Sequence, residues 1–370
     1  EMSVSLKQME TIIEGIAPKE YACEWDNTGF HVKLNNEISR VMLCLDVTPE
    51  VIKEAAQKKC DLLIAHHPLI FKPIKKIDIV TYEGECLSLL LQHHISLYCA
   101  HTSMDSVVGG INTYLADVFH LTDRTFLEPT GIQEYYEVTV SVPQENAGQI
   151  RDAFERAGAG EIGNYGGCSF SYDGVGRFCP DEDSHAYIGT IGKMEEVDEQ
   201  RVCAVCPKEK INQLLTEVRA AHPYEQPAIQ LSLVQEPKII KAGLGIIGEV
   251  TETPAKVLLD IFKKAVDTDS VRFMGDLNTK IKKIAVCGGG GGDLIACAKA
   301  LGAQLYLTGE VKHNFYAAEK DICIAEAGHF DTEKCFCEIY AKSLQKALNE
   351  LNYKVSVDIT ENLRRYYVNY

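Results

Sequence analysis

Three short stretches of the sequence carry side chains that can bind metal ions. Each joins a histidine to a second histidine or to an acidic residue: His66-His67, His101 with Asp105, and His329 with Glu333. Residues spaced i, i+4, such as His329 and Glu333, share one face of a helix and can hold one ion. Neighbouring residues point apart in an extended chain, so His66 and His67 can reach one site only where a strand ends. Imidazoles mixed with carboxylates are the donor set of catalytic Zn, Mn or Fe sites.

Spacing alone leaves structural roles open for these residues. The sequence has 11 histidines and 53 acidic residues, and chance gives about as many close His–acid pairs as are present. A second histidine pair, His93-His94, lies at a predicted helix end, where a cationic side chain suits the helix dipole. Capping histidines and a salt-bridged or capping Asp105 are therefore alternatives to a metal site. As ligands, the residues would suit two ions about 3.5–4 Å apart that share a bridging hydroxide.

The three stretches follow segments with the pattern of buried strands. The runs DLLIA, ISLYCA and DICIAEA end at or next to them, and a helix beginning at Pro49 separates the first strands. Strands that alternate with helices predict an α/β fold with mainly parallel sheets and right-handed crossovers. Parallel sheets place ligand sites beyond the carboxyl ends of their strands. This shared placement, more than the spacing, is the evidence for a metal site.

The two ends of the chain can be laid on each other. Residues 60–67 match 303–310 at a constant offset, and a second match places His101 on His329. The pattern predicts two related α/β halves. The predicted domain ranges are 1–130 for the first half, 131–235 for an insertion and 236–370 for the second half.

The segment between the halves has a different pattern. YYEVTVSVP alternates apolar and polar residues, as a half-buried strand does, and ENAGQIRDAFERAGAG is helical with a glycine stop. RVCAVCP, KEKINQLLTEVRAAHP and PAIQLSLV continue as strand, helix and strand. Two β-α-β units around an antiparallel sheet predict a ferredoxin-like α+β domain inserted into the α/β core.

The overall composition limits the classes of function. Lys and Arg number 37 against 53 Asp and Glu, and the net charge of −16 argues against binding nucleic acid or an anionic membrane. Apolar residues make up 46% and charged residues 24%, the balance of a soluble globular protein. The 14 cysteines lack framework spacing, and no apolar run is long enough to span a membrane. We therefore expect a cytoplasmic protein with reduced, mostly buried thiols, including the pairs Cys203/Cys206 and Cys335/Cys337.

Six motifs carry a resemblance to a known family. They are EWDNTGF (24–30), LLIAHHPLIF (62–71), HTSMDS (101–106), CGGGGG (287–292), LTGE (307–310) and GHFDTE (328–333). In combination they are specific, and the chain resembles the NIF-three-like family, the GTP cyclohydrolase I type 2 homologues. The middle segment resembles the CutA/PII-like insertion of longer members, and HPYEQPAIQL (222–231) is similar to a CutA signature.

The resemblance implies a dinuclear metal site in a cleft between the two halves. Carried over residue by residue, the family's ligands fall on His66, His67, Asp105, His329 and Glu333. It also implies a toroidal homo-oligomer, typically a hexamer.

Other residues near the predicted strand ends are weaker candidates. Gly288, Gly289 and Gly290 follow a strand and precede a helix, so their N–H groups could hold a phosphate, although glycines also permit close packing. His101 and Glu310 are candidate catalytic residues, as proton shuttles or as orienters of a ligand, with a structural hydrogen-bonding role as the alternative. Two further sites are expected to be architectural: Trp25-Asp26-Asn27, which braces the cleft, and His222, which ends a helix in the insertion.

Two functions are consistent with these observations. The first is a metal-dependent hydrolase, resembling GTP cyclohydrolase I type 2, that acts on a nucleotide-like substrate through a metal-activated water. It would hold two divalent ions per chain, with zinc favoured and manganese or iron as alternatives. The second is a non-catalytic metal- or nucleotide-responsive adaptor, because no nucleophile or general acid stands out and the insertion resembles signalling modules.

Overall fold

The structure of the chain, a computed structural model, describes residues 3–367, with the side chains of 236–238 excepted. The chain divides into two compact units. The first, here called the α/β unit, comprises Glu1–Gly131 and Ile240–Tyr370, and the second, the middle unit, comprises Ile132–Ile239. Among the described residues, no helix is both long enough and apolar enough to cross a membrane.

The α/β unit begins with short strands and helices that alternate along the chain. They are β1 (Val4–Ser5), α1 (Leu6–Ile16), β2 (Gly29–Val32), β3 (Glu37–Ile38), β4 (Arg40–Cys44), α2 (Pro49–Gln57), β5 (Leu62–Ala65), α3 (Tyr82–Gln92), β6 (Ser96–Cys99), α4 (Thr102–Ser106) and α5 (Ile111–Val118). Local signals explain several helix starts. Ser5 and Gln8 form a capping box on α1, and Thr48 caps α2 with Pro49 in its first turn. His93 is the C-cap of α3, at the helix end predicted for it.

The rest of the chain passes through the middle unit and returns. The remaining elements are β7 (Thr122–Pro143), α6 (Ala147–Arg156), β8 (Phe170–Phe178), β9 (Glu195–Pro207), α7 (Ile211–Ala221), β10 (Ile229–Pro254), α8 (Ala255–Ala265), β11 (Arg272–Met274), β12 (Lys280–Cys287), α9 (Ile295–Ala300), β13 (Leu305–Thr308), α10 (His313–Ala318), β14 (Cys323–Glu326), α11 (His329–Glu333), α12 (Phe336–Glu350) and β15 (Ser356–Ile359). The long strands β7 and β10 carry the chain out of the α/β unit and back into it.

Besides a two-stranded pair of β1 and β3, the α/β unit has two larger sheets that share a central pattern. In the first, strands in the order β15-β4-β5-β6 are parallel and β2 is antiparallel to β6. In the second, β12-β13-β14 are parallel, β11 is antiparallel to β14, and β10 is antiparallel to β12. The mixed α/β class is thus confirmed. The expectation of mainly parallel sheets is correct for β15-β4-β5-β6 and for β12-β13-β14. It is wrong for the short strands β2 and β11 at the sheet edges and for the long strand β10, which lies inside its sheet.

The main apolar core of the α/β unit draws on both sheets and on α12. Ile64 and Tyr98 from the first sheet, Leu307 from the second, and Phe336 and Leu344 from α12 are buried in one cluster. Separate clusters cover the outer faces, with α2 and α3 on the first sheet and α9 on the second. The strands β5, β6, β13 and β14 are buried on both faces, as their continuous apolar runs predict.

The middle unit has the element order β-α-β-β-α-β. Its strands lie in the order β7-β9-β8 with antiparallel pairing. Side chains from alternate positions, such as Val140 and Val202, pack under α6 and α7 with Ile150, Phe154 and Leu214. One face of this sheet is therefore covered by helices. The residues between these buried positions point to the other face.

Candidate metal centre

The predicted ligands come together at the carboxyl ends of the parallel strands. His66 and His67 follow β5 directly, His101 precedes α4, and α11 begins at His329. α11 runs from His329 to Glu333 and so places these two residues on one helix face, with His329 Nε2 3.1 Å from Glu333 Oε2. His66 and His67 sit where the strand ends, with ring centres 5.0 Å apart.

Each histidine ring of the cluster is held through Nδ1, so that Nε2 is the nitrogen left for the centre. The acceptors at Nδ1 are Ala100 O for His66 (3.0 Å), Asp46 Oδ1 for His67 (2.7 Å), Asp26 Oδ1 for His101 (2.8 Å) and Glu310 Oε2 for His329 (3.0 Å). Carbonyl and carboxylate oxygens accept, so Nδ1 carries the proton. Histidines that ligate metals are held in this way, with the second nitrogen donating to a carboxylate or a carbonyl.

Glu333 divides its two oxygens between two groups of residues. Oε2 lies 2.9 Å from Nε2 of His67 and also contacts His329. Oε1 lies 3.7 Å from Nε2 of His66, and Asp105 Oδ1 lies 3.7 Å from the same nitrogen. Glu333 is 3% exposed, so water does not compensate its charge. The carboxylate is thus placed as a bridge between two sets of donors.

Two buried atoms of this cluster have no hydrogen-bond partner. They are Nε2 of His66 and Oδ1 of Asp105. With its proton on Nδ1, His66 presents a lone pair at Nε2, and it faces carboxylate oxygens that also only accept. The distances of 3.7 Å are too long for hydrogen bonds. Acceptors that face acceptors in a buried space are satisfied by a cation, so the residues present fit a metal ion.

The side chains form three overlapping groups, each able to hold a cation. They are His67, His329 and Glu333; His66, Asp105 and Glu333; and His66, His67 and His101. All five predicted ligands belong to these groups, and His101 joins them. His101 therefore lies in the cluster itself and not only beside it, whereas Glu310 contacts the cluster from outside through His329.

Electrostatics within the cluster favour the charged forms of Glu333, His67 and His329 but not of Asp105. Burial alone would lower the pKa of His67, but Asp46 and Glu333 outweigh it and raise that pKa to about 10. The pKa of His329 is raised to about 9 in spite of burial, mainly by Glu333. Burial opposes ionisation of Glu333, yet His66, His329 and His67 hold its pKa well below the ordinary range. Burial raises the pKa of Asp105, partly offset by His66. Metal ions compete with protons for such groups, so affinity depends on pH.

The glycine loop after β12 lies against the cluster. Gly289 has φ +61°, and a Cβ at this position would overlap Glu333 Oε1. The N–H groups of Gly288 and Gly289 donate to Asn112 Oδ1 and Thr332 Oγ1. These two N–H groups are therefore bound within the protein, which does not support the phosphate contact predicted for Gly288 and Gly289. It stays a prediction for Gly290, and close packing is the observed role of Gly289.

Sequence reasoning missed Asp46 and gave Asp26 only a general bracing role. Asp46 lies two residues beyond the end of β4, so the rule that located the other strand-end residues could have found it. Asp26 lies in an irregular segment that carries no strand signal. It accepts from His101, and from both the N–H and the hydroxyl of Thr102. The Trp25-Asp26-Asn27 motif was expected to brace the cleft, and Asp26 braces His101 directly.

A cavity of about 490 Å³ opens beside the cluster. Glu310 and His329 line it together with Arg272, Asp331 and Tyr367. Arg272 is largely exposed and lies 3.0 Å from Glu326 Oε1, whereas Asp331 is buried and paired with Arg365. A ligand in this cavity would therefore contact the accessible guanidinium of Arg272 and the side chains of Glu310 and His329.

Fold and site together define an α/β protein with a histidine–carboxylate cluster at its strand ends. A family model for Duf34/NIF3 (NGG1p interacting factor 3) matches residues 4–364. A Listeria innocua protein named GTP cyclohydrolase 1 type 2 homolog is 36% identical over 358 residues, which cover 95% of each chain. A Bacillus subtilis protein of the same name is 36% identical over 365 residues, 97% of each chain. The chain belongs to the Duf34/NIF3 family, and the resemblance seen in the sequence is confirmed.

Solved structures show the same fold along the whole chain. A Bacillus cereus protein related to NIF3 has a TM-score of 0.86 at 32% identity, with 100% of both chains covered. A Staphylococcus aureus protein, SA1388, has a TM-score of 0.81 at 26% identity, with 99% of both chains covered.

Proposed function

We propose that this protein binds two divalent metal ions and is a metal-dependent hydrolase for a nucleotide-like substrate. The observation that carries the proposal is the pair of buried, unpartnered atoms, His66 Nε2 and Asp105 Oδ1, which face each other across 3.7 Å. Relatives at 36% identity are named GTP cyclohydrolase 1 type 2 homologs, and this supports hydrolysis of a purine nucleotide or a related compound.

Two of the three residue groups suit separate ions that share Glu333. One ion would be held by His67, His329 and Glu333, and the other by His66, Asp105 and Glu333. A mixed set of imidazole and carboxylate donors favours zinc, with manganese or iron as alternatives. Bound ions would supply Lewis acidity and an activated water for hydrolysis.

The chain's own residues would orient the site and receive the substrate. Asp46, Asp26 and Glu310 hold imidazole rings through Nδ1, which fixes the direction of Nε2. The adjacent cavity of about 490 Å³ is large enough for a nucleotide-sized ligand. Arg272 is the accessible cation in its lining and would bind an anionic group of the substrate. Glu310, in contact with His329 and exposed to the cavity, is placed to exchange protons with it.

The family resemblance supports two further proposals, one about the fold of the middle unit and one about the oligomeric state. We propose that the middle unit is a ferredoxin-like, CutA/PII-like domain, because its elements follow the order β-α-β-β-α-β. We also propose a homo-hexamer, which light scattering on the purified protein would test. The alternative function, a metal- or nucleotide-responsive adaptor, is favoured by the lack of an evident nucleophile or general acid and by the resemblance of this unit to signalling modules.

Elemental analysis and turnover assays together test the proposal. Protein purified without added metal should contain about two divalent ions per chain. Nucleotides and generic phosphodiesters would be screened with the wild type, His66→Ala, Glu333→Ala and the exposed-histidine control His93→Ala. We expect activity in the wild type and the control, and its loss in both cluster variants. Tight metal with no turnover would support the adaptor, and fewer than half an ion per chain would overturn the metal centre itself.

A further inference from the structure

The middle unit contains a cavity on the face of its sheet that the helices leave uncovered. Val202 and Ala204 of β9 point into the core under α6 and α7. Because side chains alternate along a strand, Glu199 of β9 points to the opposite face. Phe178 lies on that face too, since it pairs in register with Glu195. A cavity of about 310 Å³ lies there, here called the aromatic pocket.

Three aromatic rings line the aromatic pocket. The ring of Tyr224 is 5.8 Å from that of Phe178 and 6.3 Å from that of Tyr187, centre to centre. Tyr187 is 51% exposed, so it forms the outer wall. Rings that face a shared space attract cations through their negative faces.

A buried carboxylate gives the aromatic pocket its charge. Glu199 is 9% exposed and lines the cavity, and Tyr224 Oη donates to its Oε1 over 3.0 Å. Gly176 lies on the neighbouring strand, where any Cβ would overlap this carboxylate. The glycine therefore makes the room that Glu199 occupies. A single hydroxyl donor does not offset the cost of burying the charge of a carboxylate, and this favours a cationic partner.

The nearby arginines do not neutralise Glu199. Arg177 is on the lining, but its side chain alternates to the other face of β8 and lies 3.8 Å from Glu196. Arg201 shares the face of Glu199, but it donates to Gln230 and lies over the ring of Tyr172. The charge that faces the cavity is therefore negative.

The position of Tyr224 is fixed by His222, a residue expected to have only an architectural role. His222 Nε2 lies 2.8 Å from Ser141 O, and the N–H of Tyr224 donates to His222 Nδ1 over 3.0 Å. The carbonyl requires a proton on Nε2 and the N–H requires a lone pair on Nδ1, so the ring is neutral. Burial lowers the pKa of His222 in agreement with this. The pocket is thus preformed at Tyr224, because His222 anchors its backbone and Glu199 accepts from its hydroxyl.

We propose that the aromatic pocket binds a small organic cation, with its ammonium group at Glu199 and its apolar part between Phe178, Tyr187 and Tyr224. The volume is at the lower end of the range of about 300–1,000 Å³ typical of ligand sites, which suits a compact amine. The site shares no residue with the metal cluster, and it gives the middle unit a ligand of its own.

Calorimetry on the full chain tests this proposal with matched probes. Phenethylammonium supplies a ring and a cation, and 3-phenylpropionate supplies a similar ring with an anion. We expect saturable binding of the amine with a dissociation constant of about 1 mM or tighter, and none of the carboxylate. Glu199→Gln, which keeps the shape of the side chain, should weaken amine binding at least about fivefold, and so should Tyr187→Ala.

Two controls separate this site from others on the chain. Tyr165→Ala removes an exposed ring of the middle unit that does not line the pocket, and it should leave binding unchanged. His66→Ala alters the metal cluster and should also leave binding unchanged. Equal binding of the carboxylate, no binding of the amine, or amine binding that survives both pocket substitutions would each overturn the proposal. Tyr187 is half exposed, so its substitution tests the pocket without risk to the fold.

Discussion

Asp46 Oδ1 lies 2.7 Å from Nδ1 of His67, the ring nitrogen that does not face Glu333. The carboxylate sets the tautomer of His67 and its orientation, because an ionised oxygen accepts only from a protonated Nδ1. Nε2 is then left facing Glu333 Oε2 at 2.9 Å. The relation makes Asp46 a positioning residue for the proposed centre.

Asp46→Asn should weaken metal binding about 10- to 100-fold while leaving the fold intact, because it removes the charge that orients His67. Competition with a chelator of known affinity measures the change. Asp117→Asn is the matched control, since Asp117 is an exposed residue paired with Arg124. An affinity equal to that of the wild type would contradict the assigned role of Asp46.

Glu333→Gln and Glu310→Gln should have different effects on metal content. Glu333 belongs to two of the three groups, and its loss removes an oxygen from both proposed ions. We expect fewer than half an ion per chain in that variant. Glu310 contacts only Nδ1 of His329, so Glu310→Gln should retain metal at lower affinity. Elemental analysis after dialysis distinguishes them, and equal metal content in both variants would contradict the assignment of Glu333 as the shared ligand.

Gly289→Ala should destabilise the protein by about 1–3 kcal/mol and reduce its metal content. The new Cβ would overlap Glu333 Oε1 in a backbone conformation with φ +61°. Gly163→Ala is a close control, because Gly163 has φ +58° and open space where its Cβ would be. Urea denaturation and elemental analysis of both variants separate backbone strain from displacement of Glu333. Similar losses of metal in the two variants would count against the overlap.

The surroundings of Glu54 predict that part of the folding stability is lost at acidic pH. It accepts hydrogen bonds from Lys58, Thr360 and the backbone N–H of Glu361. Burial opposes its ionisation, but these donors outweigh burial and lower its pKa from 4.5 to about 2. A carboxylate whose pKa is lowered by folding stabilises the folded state at pH values above its pKa in the unfolded chain. This contribution is lost as the pH falls toward 2.

Glu54→Gln should therefore cost about 1–3 kcal/mol at pH 7 and less at pH 3. Denaturation of wild type and variant in chelator, at both pH values, measures the difference. Glu83→Gln, on an exposed first-turn glutamate of α3, should show no such pH dependence. A cost that is the same at pH 7 and pH 3 would show that Glu54 is not ionised in the folded protein.

The fully buried strands were the elements that could best be predicted from the sequence. DLLIA and DICIAEA are buried strands, and their exits hold His66 and His329, because a parallel sheet collects its ligands at one edge. The family motifs then reduced the candidate metal ligands to five residues, all of which lie in the cluster.

What the sequence could not give were contacts decided by tertiary packing. The role of Asp26 depends on an irregular segment that reaches His101, and no periodicity reports such a contact. The N–H groups of Gly288 and Gly289 looked free, but Asn112 and Thr332 come from distant helices to bind them. The antiparallel edge strands β2 and β11 are short, so their patterns carry little signal.

The pairing of β15 with β4 has a consequence for synthesis of the chain. A ribosome releases β4 long before β15, so the first sheet keeps an open edge while the intervening chain is being made. Glu333 also emerges late, which leaves the histidines of the first half without their shared acid. Metal binding at the proposed centre would therefore await synthesis of α11, and nascent chains stalled before β15 would expose an edge prone to mispairing.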